Sequence, residues 1–269
     1  MDLYFSKVIE KVKSYENIFS LKNKTAIVVG GTRGLGLAMA LGLGGSGANV
    51  VVSSRNITDE LVSEIKLMFD AISANVEVLK LDGNNETAVE DFFKQVNLKY
   101  GSIDILINSQ GSVYLEETTK FPLDKWQSVM DNNVKSVFLC CKHAAPYMIS
   151  HSSGKIINVS SVRGFQGRAQ DPAYATSKGA VNQLTKSLAI EWAPLGLNVN
   201  ALAPVFTKTK ISEDFLKDEE RLNWVLGRIP QKRLGELEDI VGPAIFLASS
   251  ASNFVNGQIL SVDGGWLAG

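Results

Sequence analysis

Short apolar runs alternate along the chain with longer segments in which apolar residues recur every three or four positions. A short apolar run bounded by turn residues is typical of a buried strand, and a repeat of three to four is typical of an amphipathic helix. The pattern predicts strands at residues 26–29, 49–53, 76–81, 103–108, 155–160, 198–201 and 259–262. It predicts helices at residues 35–45, 61–71, 86–100, 123–150, 173–193 and 238–248. Because strands and helices alternate, we expect an α/β fold in which helices cover both faces of a doubly wound parallel sheet.

Two segments depart from this alternation. An N-terminal helical extension is predicted over residues 1–20, packing on the domain itself or on a neighbouring subunit. Its apolar side chains at helical spacing are Tyr4, Val8, Val12, Tyr15 and Phe19. A short helical lid over a substrate is predicted at about residues 205–230. The apolar side chains of this lid are Phe206, Phe215, Leu216, Leu222 and Trp224. Residues 21–269 are otherwise expected to form a single domain.

Charge balance and cysteine content narrow the functional classes. The chain has 27 basic and 28 acidic residues, so it lacks the basic excess typical of nucleic-acid binding. No apolar run is long enough to span a membrane, and the charged N-terminal segment is unlike a secretory signal. The two cysteines, Cys140 and Cys141, are adjacent and cannot form an ordinary disulfide framework. We therefore expect a cytoplasmic protein that binds neither nucleic acid nor membrane.

A glycine-rich turn follows the first predicted strand, with Gly30, Gly34 and Gly36 in a Gly-x-x-x-Gly-x-Gly spacing. Glycine lets the backbone approach a pyrophosphate closely, and the following helix directs free N–H groups and its positive dipole end at that anion. A plain tight turn would also use glycine. The position between a first strand and a first helix favours dinucleotide binding, and with it a Rossmann-type domain.

The end of the second predicted strand indicates which dinucleotide binds. An acidic residue at this point normally accepts hydrogen bonds from the adenosine ribose and favours NAD. The chain instead has Ser54, Arg55 and Asn56, and Arg33 lies in the glycine turn. Two guanidinium groups and no carboxylate suit the extra 2′-phosphate of NADP. We predict NADP(H), with a merely solvated Arg55 as the alternative.

A second motif lies further along the chain. Tyr174 and Lys178 are four residues apart and share one helix face, and Ser161 stands thirteen positions before Tyr174, just past a predicted strand. Together with the glycine turn, these residues resemble the short-chain dehydrogenase/reductase family from about residue 21 to residue 269. The resemblance implies a catalytic tetrad of Asn133, Ser161, Tyr174 and Lys178. Asn133 is preferred to Asn132 because an aliphatic residue follows it.

The implied chemistry is the interconversion of a ketone and a secondary alcohol. A free tyrosine has a pKa near 10, and the Lys178 ammonium and a nicotinamide cation would lower it. Tyr174 would then act as general acid or base, while Ser161 would hold the substrate oxygen. Lys178 would also bind the nicotinamide ribose, and Asn133 would hold a water that relays protons. The nicotinamide would carry the hydride.

The resemblance implies further cofactor contacts and shows two departures. The family's Asn-Asn-Ala-Gly motif is here Asn108-Ser109-Gln110-Gly111, and Val205 stands where the family usually has glycine. The predicted cofactor-binding residues are Gly30, Thr32, Arg33, Gly34, Leu35, Gly36, Ser54, Arg55, Asn56, Asp82, Gly83, Asn108, Gly111, Tyr174, Lys178, Pro204, Val205, Thr207 and Thr209.

The substrate is predicted less directly. Several candidate lining residues are polar and suit a hydroxylated or acidic substrate. These candidates are Gln110, Ser112, Arg163, Phe165, Phe206 and Trp224. The C-terminal third resembles the family branch of gluconate 5-dehydrogenases and related sugar or polyol enzymes, and bacterial 3-oxoacyl-carrier-protein reductases look similar too. We expect a keto-sugar, sugar acid or polyol; a 3-oxoacyl thioester reductase and a non-catalytic dinucleotide sensor are the alternatives.

The family resemblance also implies a homotetramer built on the helices of Asn133 and Tyr174. A metal site is not expected. His143 and His151 are isolated and have no Cys, Asp or Glu at ligand spacing.

Overall fold

The computed structural model describes residues 15–209 and 217–269, together with positions 5, 8, 9, 12 and 13. Within these residues, seven strands form one parallel sheet. The strands are β1 Thr25–Val29, β2 Asn49–Ser54, β3 Val76–Lys80, β4 Ile105–Asn108, β5 Gly154–Val159, β6 Leu197–Pro204 and β7 Ile259–Val262. Their order across the sheet is β3-β2-β1-β4-β5-β6-β7. The predicted doubly wound parallel sheet is confirmed.

Helices cover both faces of this sheet. They are α1 Gly34–Gly45, α2 Asp59–Asp70, α3 Glu86–Tyr100, α4 Leu123–Met130, α5 Ser136–Ile149, α6 Pro172–Trp192, α7 Glu219–Arg228 and α8 Val241–Ala248. The helix predicted at residues 123–150 is interrupted by a π-helical turn, Asp131–Lys135, between α4 and α5. Such turns often mark functional sites, and this one carries Asn133. Over the described ranges, no helix has the length and apolar character needed to cross a membrane.

The strand β1 shows how the two layers of core are built. Side chains alternate between the two faces along a strand. Ile27 and Val29 therefore pack with α3, α5 and α6 on one face, and Ala26 and Val28 pack with α1, α2 and α8 on the other. Because β1 is buried on both faces, it is a continuous apolar run in the sequence and not an alternating one.

Glycines within α1 allow neighbouring helices to approach it closely. A Cβ on Gly44 would lie 2.9 Å from Cε1 of Phe69 in α2, and a Cβ on Gly42 would collide with Val241 in α8. Each interior glycine costs a helix roughly 1 kcal/mol relative to alanine. The tight packing of α2 and α8 on α1 is what these glycines permit.

The predicted N-terminal extension and lid are described in part. Phe5, Val8, Ile9 and Val12 are helical with exposed side chains, whereas Tyr4 lies outside the described residues. In the lid region the structure has α7, which is ten residues long. Phe215 and Leu216 lie outside the described residues. The extension and the lid both stay predictions.

Candidate active site

The predicted cofactor and catalytic residues converge at the carboxyl edge of the sheet. The chain order reverses between β1 and β4, and open α/β sheets bind ligands in the crevice outside such a switch point. The glycine turn follows β1, Ser161 follows β5, and Pro204 ends β6. The ends of parallel strands therefore bring together residues from distant parts of the sequence.

The glycine turn has the shape of a pyrophosphate site. Gly30 has a φ of +75°, and a Cβ there would lie 2.8 Å from the backbone nitrogen of Gln110. A Cβ on Gly36 would collide with the carbonyl oxygen of Gly30. Helix α1 begins at Gly34, and its N-cap residue Arg33 makes no side-chain capping hydrogen bond. The first N–H groups of α1 are therefore available to an anion, and the turn fits a dinucleotide.

The end of β2 has the donors expected of a 2′-phosphate site. Arg33 and Arg55 are exposed, and neither forms an ion pair within the part of the chain that the structure describes. The hydroxyl of Ser54 donates to the carbonyl oxygen of Asn56 at 2.8 Å and orders the turn after β2. Asp82, a predicted cofactor-binding residue, accepts from the backbone nitrogen of Asn84 at 3.1 Å. The arginines thus present two guanidinium groups with no competing carboxylate from this turn.

Ser161, Tyr174 and Lys178 are brought together by the end of β5 and the start of α6. Ser161 Oγ accepts from the backbone nitrogen of Arg163 at 3.2 Å, and its hydroxyl lies close enough to Tyr174 to lower the pKa of the phenol. Lys178 lies one helical turn beyond Tyr174, with Nζ 5.5 Å from the centre of the tyrosine ring. Its Nζ donates to the carbonyl oxygen of Val159 at 2.8 Å, which ties α6 to β5. Burial lowers the pKa of Lys178 to about 8.

The environment of Tyr174 acts on its pKa in both directions. Burial raises the pKa of Tyr174, and the carboxylate of Asp171 raises it further. The nearby hydroxyl of Ser161 and the charges of Arg163 and Arg168 lower that pKa. Charges act strongly here because the site is shielded from water. The protonation of Tyr174 is therefore sensitive to any charge bound beside it.

Asn133 joins two of the segments that build the site. It is fully buried in the π-helical turn. Its Nδ2 donates to the carbonyl oxygen of Ser112 and to the hydroxyl of Ser177, both at 2.9 Å, and its Oδ1 accepts from Ser112 N at 2.7 Å. A Cβ on Gly111 would lie 3.2 Å from Asn133 Oδ1 and 3.7 Å from Lys178 Nζ. Asn133 and Lys178 thus flank the same glycine, and the predicted proton relay stays a prediction.

The loop after β6 accommodates the departure at residue 205. The positive-φ residues of the described chain do not include Val205, whose backbone nitrogen donates to the carbonyl oxygen of Val262 at 3.3 Å. Valine therefore fits where the family usually has glycine. Thr207 Oγ1 donates to the carbonyl oxygen of Val205 at 3.1 Å. A Cβ on Gly34 would lie 3.8 Å from Thr209 Cγ2, so this loop borders the glycine turn.

Asn108 and Gln110 lie under the site. Asn108 Nδ2 donates to Asn158 Oδ1 at 2.9 Å, and Asn158 donates to Thr185 Oγ1 at 3.0 Å. These buried bonds tie β4 to β5 and α6. Gln110 Nε2 lies 3.8 Å from Cys140 Sγ, and its Oε1 is buried with no hydrogen-bond partner in the described ranges. The amide of Gln110 therefore contacts the core beside α5.

Three of the candidate substrate residues, Arg163, Phe206 and Trp224, are connected by contacts between their side chains. The guanidinium carbon of Arg163 lies 5.8 Å from the centre of the Phe206 ring and 5.4 Å from that of Trp266. Trp224 of α7 packs edge-on against Trp266 at 5.8 Å. Phe165 is half exposed. The predicted residues Arg163, Phe206 and Trp224 therefore form one group of stacked side chains.

Sequence reasoning missed four members of this group. They are Arg168, Asp171, Arg228 and Trp266. Asp171 is buried with Oδ2 3.5 Å from Nη2 of Arg168, and Arg228 stacks on Trp266 at 4.7 Å. Asp171 precedes Pro172, a pattern that indicates a helix N-cap, yet its side chain makes no capping bond. No spacing in the sequence connects Arg228 or Trp266 to Arg163.

No metal site is expected from the sequence. Among the described residues, no three His, Cys, Asp or Glu side chains are grouped as metal ligands would be.

A Rossmann-type fold with a Ser–Tyr–Lys group at the carboxyl edge of its sheet is typical of a class of nicotinamide-dependent oxidoreductases. A family model described as enoyl-(acyl carrier protein) reductase matches residues 29–267. A 2-dehydro-3-deoxy-D-gluconate 5-dehydrogenase from Bacillus subtilis is 41% identical over 254 residues, covering 93% of this chain and 97% of that protein. The chain belongs to the short-chain dehydrogenase/reductase family, and the resemblance predicted from its motifs is confirmed.

Two further relatives have related names. A gluconate 5-dehydrogenase from Gluconobacter oxydans is 38% identical over 252 residues, which cover 94% of this chain and 98% of that protein. The crystal structure of a gluconate 5-dehydrogenase from Burkholderia cenocepacia, in complex with NADP and tartrate, superposes with a TM-score of 0.90. It is 34% identical, and the match covers 94% of this chain and 98% of that one.

Proposed function

We propose that the chain is an NADP(H)-dependent oxidoreductase that interconverts a ketone and a secondary alcohol on a sugar acid. The observation that carries the proposal is the buried ammonium of Lys178 one helical turn from Tyr174, with the hydroxyl of Ser161 close enough to lower the pKa of that tyrosine. This group stands beside a glycine turn shaped for a pyrophosphate. A proton donor, an oxygen-binding hydroxyl and a cofactor site are the parts that carbonyl reduction requires.

The chain's own residues supply the proton and the orientation. A bound nicotinamide would supply or accept the hydride. Ser161 donates a hydrogen bond to the substrate oxygen and holds it against Tyr174. Tyr174 protonates that oxygen in reduction and removes the alcohol proton in oxidation. Lys178 favours the phenolate by its charge, and Asn133 keeps α6 aligned with the loop after β4.

NADP(H) is proposed over NAD(H) because of Arg33 and Arg55. Both guanidinium groups are exposed, Arg33 in the glycine turn and Arg55 in the turn after β2, and the turn after β2 carries no carboxylate. A 2′-phosphate would form charge-assisted hydrogen bonds with them. The Burkholderia relative, which was solved with NADP, adds support.

The sugar-acid substrate is proposed from the relatives and from the arginines near Tyr174. The Bacillus and Gluconobacter relatives are named for substrates that carry a carboxylate, and the Burkholderia structure holds tartrate, a hydroxylated dicarboxylate. The alternative is a reductase of acyl thioesters, which the description of the matching family model favours. A non-catalytic sensor would not need the Ser–Tyr–Lys group.

The test follows nicotinamide absorbance with NADPH and with NADH in separate runs. The substrates are 5-ketogluconate, fructose, a diketone and an acetoacetyl thioester. We expect turnover of 5-ketogluconate with NADPH, lost in Tyr174→Phe and kept in Tyr147→Phe, which removes a phenol hydroxyl from α5. Turnover of the thioester alone would support the alternative reductase. Tight NADPH binding with no turnover of any substrate would support the sensor.

We further propose a homotetramer in the cytoplasm. Phe138 on α5 and Ile190 on α6 are exposed large apolar side chains, and both helices are the ones that the resemblance assigns to assembly. Burial of such side chains favours association. Light scattering coupled to gel filtration gives the mass of the assembly directly.

A further inference from the structure

We propose that Arg163 binds the carboxylate of an anionic substrate while the reacting carbon lies at Ser161 and Tyr174. The inference rests on the proposed function, and it names the residue that would select sugar acids over neutral sugars. Arg163 lies two positions after Ser161, on the short helical turn that Ser161 caps. The backbone nitrogen of Arg163 lies 3.2 Å from Ser161 Oγ, so a substrate bound to the serine hydroxyl would lie beside this turn.

The guanidinium of Arg163 has an unsatisfied donor. The residue is only 6% exposed. Its Nη1 donates to the carbonyl oxygen of Gly167 at 3.3 Å, whereas its Nη2 is buried and has no hydrogen-bond partner among the residues described. A buried charged donor without an acceptor is unfavourable, and a carboxylate matches the fork of a guanidinium best. The ligand that would satisfy Nη2 is thus an anionic oxygen.

The charges around Arg163 favour an anion as well. Arg168 and Arg228 lie close enough to act on its charge, and Asp171 is the acid that opposes them. Within the described ranges, this group has three guanidinium groups and one buried carboxylate. Asp171 lies closest to Arg168, with 3.5 Å between Oδ2 and Nη2, and its Oδ1 has no partner in the same ranges. The positive charge of Arg228 beside Arg163 therefore favours a bound carboxylate.

Aromatic rings hold the guanidinium in place. Phe206 and Trp266 lie within 5.8 Å and 5.4 Å of its carbon. Stacking on aromatic faces keeps the planar group oriented without using its N–H donors. Arg163 is thereby preorganised as a fork, with Tyr174 close enough for their charges to interact. A hydroxy acid can then be held at one end by Arg163 and react at the other.

The test compares an acid with a neutral sugar in matched variants. Arg163→Gln removes the fork, and Lys142→Gln removes one exposed positive charge from α5 as the control. We expect Arg163→Gln to raise KM for 5-ketogluconate and Kd for tartrate by about 10-fold to 100-fold. Lys142→Gln should change neither the KM for 5-ketogluconate nor the Kd for tartrate. The KM for fructose should be the same in both variants.

Other outcomes separate the two proposals. If Arg163→Gln binds 5-ketogluconate and tartrate as tightly as the wild type does, the role of Arg163 is overturned and the proposed function stays intact. A wild type that neither binds tartrate nor reduces 5-ketogluconate would overturn both. If melting shows that Arg163→Gln is unfolded, Arg163→Lys takes its place, because it keeps the charge but loses the planar fork. If Arg163→Lys then binds tartrate as tightly as the wild type does, that result also contradicts the proposal.

Discussion

The ammonium nitrogen of Lys178 lies 5.5 Å from the ring centre of Tyr174 and donates to the carbonyl oxygen of Val159 at 2.8 Å. The same lysine therefore ties helix α6 to strand β5 and places a charge beside the phenol. With 4% of its surface exposed, its charge is little screened by water. This contact connects the structural and the proposed chemical role of the residue.

Replacing Lys178 by methionine should slow turnover strongly and leave the fold in place. Methionine preserves the length and most of the volume of the side chain but removes its charge. We expect kcat for the best substrate to fall by roughly 100-fold or more, in the range typical of lost acid–base assistance. Stopped-flow absorbance gives the rate and circular dichroism confirms the fold. A variant with wild-type kcat would contradict the role given to Lys178.

Replacing Asn133 by leucine should destabilise the protein. The change removes three hydrogen bonds and leaves the buried hydroxyl of Ser177 and both backbone groups of Ser112 without that partner. Each lost hydrogen bond contributes about 0.5–1.5 kcal/mol, so the free energy of unfolding should fall by about 2–4 kcal/mol. Urea titration measures it. The matched variant Ser177→Ala, which loses one of these bonds, should be affected less.

Reversing the charge of Arg55 should change cofactor preference. A carboxylate in Arg55→Glu would repel the 2′-phosphate of NADP and accept hydrogen bonds from the ribose of NAD. We expect KM for NADPH to rise by roughly 10-fold to 100-fold and KM for NADH to fall. The control is Lys66→Glu, an equal charge reversal at an exposed position of α2. Unchanged NADPH affinity in Arg55→Glu would refute the assignment.

The buried carboxylate of Asp171 should make stability depend on pH. Burial raises the pKa of Asp171 to about 6, against the nearby positive charges of Arg168 and Arg163. The folded state therefore binds this proton more tightly than the unfolded state, and the resulting stability is lost as pH rises towards and through 6. Between pH 4 and pH 7.5, the free energy of unfolding of the wild type should fall by on the order of 2 kcal/mol relative to that of Asp171→Asn. Parallel pH dependence of the two proteins in urea titrations would contradict this.

Deleting residues 1–19 should weaken assembly. Six large apolar side chains described in this segment are exposed in the single chain: Phe5, Val8, Ile9, Val12, Tyr15 and Phe19. Such side chains are stabilised when a neighbouring subunit covers them. We expect the truncated protein to dissociate at a higher concentration and to melt at a lower temperature than the full chain. Equal mass and equal melting temperature would refute a clamp on a neighbouring subunit.

Most of the fold could be predicted because its signals are local. The strands buried on both faces are continuous apolar runs, and the helix Glu86–Tyr100 and the strand Ile259–Val262 have the predicted bounds. The π-helical turn at Asn133 could not be predicted, because its residues continue the helical pattern of the segments on either side. It is stabilised by contacts with Ser112 and Ser177, which approach Asn133 only in the folded chain.

The sequence by itself determined the class of fold, the glycine turn and the Ser161, Tyr174 and Lys178 group. The class of fold and the glycine turn depend on neighbours within a few residues or on the ends of consecutive strands, so spacing reveals them. The Ser161, Tyr174 and Lys178 group was recognised through the resemblance to the short-chain dehydrogenase/reductase family. Only the tertiary structure decided what surrounds Arg163. Asp171, Arg228 and Trp266 reach it through the packing of segments far apart in the chain, and burial turns an ordinary arginine into one with an unsatisfied donor. Burial and long-range contact are properties of the packed chain, and no local pattern of residues records them.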